Sequence, residues 1–415
     1  DYKEKYLLSF IVRRDQSSRF PTKNSVAVFK SILGGWIVSQ EDFFKKDGLV
    51  NFLKLRGSYG TLGNDVAGNS DFRSLLVNSS YVINNTLTNG VATGKIPNTK
   101  IKWETDTKLD LGLDVRMLNN KIDITADYFN DKRTDLLVGG VPISGINGGY
   151  APGSGSPTVN AGTVVNKGFE FSMNYKNDSN KIKYSLGFNA TTINNEVLEV
   201  KNSTGYIESG SFGIGQLAPT RMEVGQPMGV FYGLQADGIF QNQAEINAHP
   251  SQTGLGSATS PGDIRYKDIN GDGAIDFKDR TYIGKPIADF TLGFNVNVNY
   301  KNIDFVAYAY ASVGNDLIRN YERTENRLNK LDYVLDRWTG EGTSNTVPRV
   351  TTGATNNNLF SSYFVEDASF LRIQNVQIGY TLPSKIVAKA GISKVRFYAA
   401  ANNVLTFSKY RGFDP

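Results

Sequence analysis

Hydrophobic and polar residues alternate with a period of two through long stretches of this chain. From Leu109 to Met117 every odd position is apolar, with Asp110, Asp114 and Arg116 between them. After Leu118-Asn119-Asn120-Lys121 the phase returns through Ile122, Ile124, Ala126 and Tyr128. Successive strand side chains point to opposite faces, so this predicts a hairpin with one apolar and one polar face. Its short, Asn-rich turn suits a tight reversal. Phe169–Tyr175 with Ile182–Phe188, and Phe294–Tyr300 with Ile303–Ala311, repeat the unit. Val376–Leu382 also alternates, whereas Leu371 and Ile373 sit on the opposite parity. The shift predicts a β-bulge near Gln374-Asn375 that resets the phase.

Two architectures satisfy this pattern. In a secreted or surface β-sandwich that binds glycans, the apolar face meets a second sheet. In an outer-membrane barrel it meets lipid, and the polar face lines a lumen. Predicted strands of about nine residues match the ~9–11 of a tilted crossing. Short turns such as 118–121 contrast with long Gly/Ser/Asn-rich connections such as Gly139–Val164 and Asn202–Gln226. That asymmetry, and aromatics at strand ends (Tyr128-Phe129, Tyr175, Tyr300, Tyr380), favour the barrel.

Composition narrows the chemistry. The 415 residues hold 45 Lys+Arg against 40 Asp+Glu, a net charge of +5, with no block of like charge that would mark a nucleic-acid surface. Cysteine is absent and His249 is the single histidine, which excludes disulfides, Cys nucleophiles and two-His zinc sites. His249 lies in the polar stretch Ala248-His249-Pro250-Ser251 and reads as a loop residue. Gly213-Ile214-Gly215-Gln216-Leu217-Ala218 imitates a dinucleotide fingerprint without a βαβ unit around it. The longest apolar run, Phe305 to Ala311, is seven residues, far below the ~18 of a membrane helix. Paired glycosidase carboxylates cannot be picked out, and no catalytic or cofactor-binding residue is assigned. Asp1-Tyr2-Lys3-Glu4-Lys5 does not read as a signal peptide.

Four blocks carry a family resemblance. They are Val12-Arg13-Arg14-Asp15-Gln16-Ser17-Ser18-Arg19-Phe20 with Gly35-Trp36 and Glu41-Asp42-Phe43-Phe44; Leu53-Lys54-Leu55-Arg56-Gly57-Ser58-Tyr59-Gly60-Thr61-Leu62-Gly63-Asn64; Gly262-Asp263-Ile264-Arg265-Tyr266-Lys267-Asp268 through Gly273, with Asp279–Gly284; and Arg337-Trp338-Thr339-Gly340 with Phe370–Val376. Ala401-Asn402-Asn403-Val404-Leu405-Thr406 and Gly412-Phe413-Asp414-Pro415 complete the set. In this order they resemble the C-terminal part of a SusC/RagA-type TonB-dependent outer-membrane transporter. Phe29-Lys30-Ser31-Ile32 and Gly340-Glu341-Gly342 depart modestly from the family pattern.

The resemblance implies an all-β transmembrane antiparallel barrel with long extracellular loops, of which residues 1–415 are one part. The implied whole is a 22-stranded cylinder with a plug that TonB pulls on. A SusD-like surface lipoprotein caps its mouth, and a glycan, oligosaccharide or peptide passes through it. The plug and the closing C-terminal strand are expected to lie outside this chain. At roughly 25–30 residues per strand and loop, about 14–16 strands are expected.

Asp268-Ile269-Asn270-Gly271-Asp272-Gly273-Ala274-Ile275-Asp276-Phe277-Lys278-Asp279 matches a calcium-loop spacing. Asp268, Asn270, Asp272, Asp276 and Asp279 supply side-chain oxygens, Ala274 a carbonyl, and Gly273 the sharp turn. A structural Ca2+ and a metal-free Asx turn both suit this pattern. Leu317 to Trp338 reads as a loop helix, with Leu328, Leu331, Leu335 and Trp338 at helical spacing. It would pack on its own rim or on the lipoprotein, with Trp338 as the buried anchor. Arg13, Arg14, Asp15 and Arg19 form a charge cluster, facing the lumen or the solvated rim. Tyr150, Tyr206, Phe212, Phe231, Tyr232 and Phe240 either stack on sugars or pack the loops.

Overall fold

The computed structural model describes residues 1–45, 48–139, 155–213, 216–320, 331–412 and 414. Eleven antiparallel strands form one continuous sheet in which each pairs with its sequence neighbours within the sheet. They are β1 (Tyr6–Gln16), β2 (Val26–Ile37), β3 (Val50–Asn64), β4 (Glu104–Met117), β5 (Ile122–Thr134), β6 (Gly162–Asn177), β7 (Ile182–Thr192), β8 (Phe290–Tyr300), β9 (Ile303–Val313), β10 (Phe370–Thr381) and β11 (Arg396–Ser408). A further short strand, Asn194–Val200, pairs with the start of β6.

The register carries the predicted alternation across strand boundaries. Met117 faces Ile122, and Ile122 faces Tyr175; Phe188 faces Phe294 and Val298 faces Phe305. Apolar side chains thus stack on one face of the whole sheet. That face is uncovered: Leu111 is 51% exposed, Phe169 62% and Ile378 55%. A sandwich would bury this stripe against a second sheet, and the described residues place no such layer there.

The predicted bulge lies where the parity broke. The pairing of β10 shifts register between Ile373 and Asn375 on β11, and at Tyr308/Ala309 on β9. Leu371 and Ile373 thereby join Val376, Ile378 and Tyr380 on the apolar face. Leu118, Asn119 and Asn120 close the β4–β5 turn with φ of 53°, 56° and 62°, a left-handed conformation that Asn tolerates well.

Connections 38–49, 118–121, 178–181, 301–302 and 382–395 gather at one end of the sheet. Connections 17–25, 65–103, 135–161, 193–289 and 314–369 gather at the other. The strands run 11 to 16 residues, longer than the nine expected, because pairing continues beyond the apolar band. Eleven strands are also fewer than the 14–16 expected, because two outer connections consume far more than an average loop.

At the short-turn end Tyr6, Trp36, Tyr175, Tyr184, Tyr300, Tyr380 and Phe397 form an aromatic row on the apolar face, with the Tyr175 and Tyr184 rings 5.7 Å apart. Glu41 ties this row to the adjoining turn. It accepts from Tyr6 Oη at 2.7 Å, Trp36 Nε1 at 3.0 Å and Lys5 Nζ at 2.9 Å. The Tyr6 hydroxyl, then Lys5 and Trp36, hold its carboxyl down to about 2.

The exposed stripe makes a directional prediction. Leu111→Arg on the apolar face should cost about 2–4 kcal/mol of barrel stability in lipid. Asp110→Asn on the polar face should leave it within about 1 kcal/mol. Urea titration of the full-length protein in bilayers, read by heat-modifiable gel mobility, compares the two.

Candidate passage wall and outer loop assembly

The polar face of β3, β4 and β5 carries interlocked ion pairs. Arg56 of β3 lies across β4 onto β5: its Nη2 is 2.6 Å from Asp127 Oδ1, its Nε 3.2 Å from Asp114 Oδ1 and its Nη1 3.4 Å from Asp110 Oδ1. Gly112 makes that crossing possible, since a Cβ there would lie 2.5 Å from Arg56 Cζ. Towards the long-connection end, Lys108 pairs with Asp131 at 2.7 Å and Asp106 with Arg133 at 3.6 Å, each directly across the β4–β5 ladder.

Beyond β6 the same face turns from ions to amides. Asn189 lies over Gly293 of β8, and Asn295 over Gly187 of β7. Asp304 pairs with Arg396 between β9 and β11. Along β1 to β3 a hollow of about 390 Å³ is lined by Leu7, Ser9, Leu33, Gly35, Arg56 and Asp110.

The expected arginine cluster divides. Arg13 and Asp15 share a face and pair at 2.7 Å, with the Arg13 guanidinium over Phe29. Arg14 has the opposite parity and is exposed. Arg19 leaves the strand altogether and reaches Asp65 and Asn69 on the neighbouring connection. A period of two separates adjacent residues, so four charges close in sequence need not form one site.

Connections 193–289 and 314–369 fold together as a small hydrophilic-surfaced assembly with its own cores. One core is Leu234, Leu255, Ile264, Tyr266 and Ile275; another is Phe212, Phe231, Phe360 and Phe364. Strands Tyr206–Ser209, Thr220–Glu223, Val230–Gly233 and Thr281–Gly284 make a four-stranded sheet. Gln252 patches the strand Ile264–Tyr266, donating to Ile264 O at 3.1 Å and accepting from Tyr266 N at 2.6 Å. Burial pushes the Tyr266 phenol well above its usual range, and its hydroxyl donates to Asn356 O.

Buried charge locks this assembly. Asp263 is 2% exposed and accepts from Arg349 Nε at 2.7 Å, Asn357 Nδ2 at 3.0 Å and Ser260 N at 2.8 Å. Arg319 is fully buried, 3.2 Å from Glu366 and flanked by the rings of Tyr363 and Phe364. Arg221 is stacked between Tyr206 and Tyr232, 3.9 and 3.5 Å from the ring centres, while Glu208 and Glu223 accept hydrogen bonds from its guanidinium. Burial, followed by the hydrogen bond to Glu223, pushes the Tyr282 phenol up to about 12.

These contacts decide several loop expectations. Phe212, Phe231 and Phe240 are core residues, and Tyr206 and Tyr232 are stacking partners of Arg221. The five therefore pack loops; Tyr150 lies outside the described residues. Of the expected helix 317–338, residues 317–320 and 331–338 are described and form no α-helix, and 321–330 lie outside the described residues. Leu317 and Ile318 pair as strand with Glu366 and Val365, and Asp332–Asp336 is a 3₁₀ turn. Leu328 lies outside the described residues, and Leu335 is exposed. At 317–318 strand pairing takes the place of the expected helix. The short α-helix of the loops is Gln243–Ala248 instead, N-capped by Asn242, with His249 at its C-cap. Trp338 is half-buried, lying against Gly262, where a Cβ would come 2.8 Å from Trp338 Cδ2. Of the Gly213–Ala218 stretch, residues 214–215 lie outside the description, and Gln216 instead bonds Asn358 O and Phe360 N.

The 268–279 loop is closed by its own side chains. Asp268 accepts from Gly271 N and Gly273 N, Asn270 from Asp272 N, and Asp272 from Ala274 N. Fully buried Asp279 accepts from Ile269 N at 2.9 Å with one oxygen and from Asp276 N at 2.9 Å with the other. Gly271 and Gly273 take φ of 73° and 82°. Among the described residues no three acidic or histidine side chains converge as a metal cluster.

A single sheet of long antiparallel strands, apolar and aromatic-banded outside, ionic inside, with short turns at one end and elaborate loops at the other, defines part of a large outer-membrane β-barrel. Sequence comparison gives the family. The family model described as TonB dependent receptor-like, beta-barrel matches residues 1–302, and the chain belongs to that family. TonB-dependent receptor P3 of Formosa agariphila is 33% identical over 100% of this chain and 41% of its own length. TonB-dependent receptor SusC of Bacteroides thetaiotaomicron is 31% identical over 99% of this chain and 40% of its own. The RagAB peptide importer in its closed-closed state superposes with a TM-score of 0.79 at 26% identity, covering 99% of this chain and 43% of that one. The chain thus spans about two-fifths of the curated relatives it matches.

Removing the carboxylate at Asp263 takes away the buried acceptor of half-buried Arg349 and of the buried Asn357 amide. Asp263→Ala should destabilise the loop assembly by about 3–5 kcal/mol. Limited proteolysis of the full-length protein should then cut within 193–289 while heat-modifiable mobility of the barrel persists.

Proposed function

We propose that this chain forms the C-terminal barrel portion of a SusC-like active importer of the outer membrane. A nutrient oligomer, glycan or peptide, is captured at the outer loops beneath a SusD-like lipoprotein. It is released inward along the polar wall when TonB remodels a plug. The observation that carries this reading is the two-faced sheet: hydrocarbon-compatible outside, and inside a wall of paired ions that water or a polar solute can wet. The likeness to SusC and to the RagAB peptide importer supports the import class.

Growth of the parent bacterium on a single oligosaccharide or peptide source, with and without TonB, tests it. Expected is uptake that requires both the barrel gene and TonB, with the oligomer and a lipoprotein retained in detergent-purified complex and identified by native mass spectrometry. Uptake that persists without TonB would overturn the reading.

From the spacing of its oxygens alone we also propose that the 268–279 loop accepts one Ca2+. Millimolar Ca2+ should raise the melting temperature of the intact protein by several degrees, and Asp272→Ala should abolish the rise. An unchanged melting temperature in the parent protein would reject the ion and leave a self-closed Asx loop.

A further inference from the structure

The register leaves few charges on the outward, apolar face of the sheet, and they share one sign. Among the described residues of the eleven strands, that face carries Arg14 of β1, Lys30 of β2, Lys132 of β5 and Lys167 of β6, and no aspartate or glutamate. Strands β7 to β11 place no charge there. All four cations stand in the half of their strand nearer the long connections. Arg14, Lys30 and Lys132 are exposed, and Lys167 is half-buried. The carboxylates beside them in sequence point to the other face and are engaged there: Asp15 pairs with Arg13, and Asp131 with Lys108.

The ladder gathers these cations into two pairs. Lys132 faces Val165 and Asn130 faces Lys167, so the two lysines are diagonal neighbours across β5 and β6, roughly 7–8 Å apart along the backbone. Arg14 faces Val28, which makes Arg14 and Lys30 the same kind of pair across β1 and β2. Hydroxyls join the pairs. Lys30 N donates to Thr61 Oγ1 at 3.2 Å, Thr61 faces Thr107, and Thr107 faces Lys132. The row Lys30, Thr61, Thr107, Lys132 spans three strand spacings, about 14 Å.

Its height fits a headgroup layer. Lys132 lies about 34 Å along β5 from Ile122 at the rise of an antiparallel strand, and a 35–45° tilt turns that into about 25 Å, the height of the apolar band. Lys167 starts lower, where a long cationic side chain snorkels to the polar layer. Like charges set as diagonal neighbours repel, and a cation below the polar layer of a lipid-facing strand is costly. An anion removes both penalties. A second copy of this face cannot supply it, because an isologous contact brings cations against cations. A phosphorylated sugar headgroup meets both features of the row, phosphate for the cations and hydroxyls for the threonines between them.

We infer that the outward face of β1 to β6 binds a phosphorylated glycolipid of the outer leaflet, its phosphates on the Lys132/Lys167 and Arg14/Lys30 pairs and its sugar hydroxyls at Thr61 and Thr107. This placement rests on the membrane orientation of the sheet, with short turns inward and long connections outward, and is independent of what the barrel carries.

The test uses the full-length protein extracted from its native outer membrane in mild detergent. Lys132→Gln/Lys167→Gln should lower the co-purifying phosphorylated glycolipid at least fivefold, read by mass spectrometry of extracted lipid, while heat-modifiable mobility stays unchanged. Arg14→Gln/Lys30→Gln should lower it likewise. Lys301→Gln, beside Tyr300 at the short-turn end, should leave it at the parent level. In phosphatidylcholine bilayers, purified lipopolysaccharide should raise the urea midpoint of the parent protein and not that of the first double variant, and inorganic phosphate should raise neither. Full retention of glycolipid by both double variants, an equal loss in Lys301→Gln, or a parent protein that does not respond to lipopolysaccharide overturns the site. An inorganic phosphate effect equal to that of lipopolysaccharide overturns the lipid assignment, as does a second barrel chain held in native mass spectra of the parent and lost from the double variants.

Discussion

Backbone hydrogen bonding without water is the constraint on which this molecule depends. Inside hydrocarbon an unpaired amide has no alternative partner, so every spanning residue must hold a place in the ladder. Among the described residues the nine inner strands meet that demand by pairing with neighbours on either side, and their register is then fixed by which side chains lipid tolerates. A slip of β4 by one residue against β5 would carry Asp110 and Asp114 to the lipid face and Leu111 and Leu113 inward. The charges on one face therefore lock the register of the apolar face, and the ion pairs of Arg56 report the result as much as they cause it.

The wall this creates is flat because bulk on one strand is matched by its absence on the next. Arg56 crosses Gly112, and Asn189 and Asn295 lie over Gly293 and Gly187. Long polar side chains thus lie along the wall instead of standing across the passage. Paired guanidinium and carboxylate groups at this surface remain half-exposed, where water screens them and each pair contributes little to stability. Their benefit is to keep a wettable surface without leaving a single sign of charge to trap a solute.

The alternation made the spanning strands legible because a period of two survives any packing partner. The bulge at Ile373/Asn375 was legible for the same reason, as a parity break that the lipid face does not permit without an extra residue. The outer loops were not, because their structure comes from tertiary partners. Leu317 and Ile318 open a segment whose later apolar spacing suits a helix, yet Val365 and Glu366 offer them a strand. Phe212 and Phe231 look like sugar platforms until Phe360 and Phe364, far along the chain, are seen to cover them. The burial of Arg319 and Asp263 was not legible, since burial of a charge depends on partners as remote as Glu366 and Arg349. The hairpin of the β3–β4 connection, Leu76–Ile83 with Thr86–Thr93, did carry a signal that went unused: Asn84-Asn85 between runs of β-formers is a turn signature.

Barrel and loops accordingly obey opposite solvation rules within one chain. The sheet turns its apolar residues outward, and the loop assembly turns them inward around Tyr266 and Phe231. Buried charge also sits at the junction between the two regimes. Glu366 shows how it is managed: it accepts from Arg411, just past β11, at 2.8 Å, and lies 3.2 Å from Arg319 in the loops. Removing Glu366 would take the carboxylate from fully buried Arg319, at several kcal/mol. The loop assembly is thereby coupled to the end of a spanning strand more strongly than a flexible tether would allow.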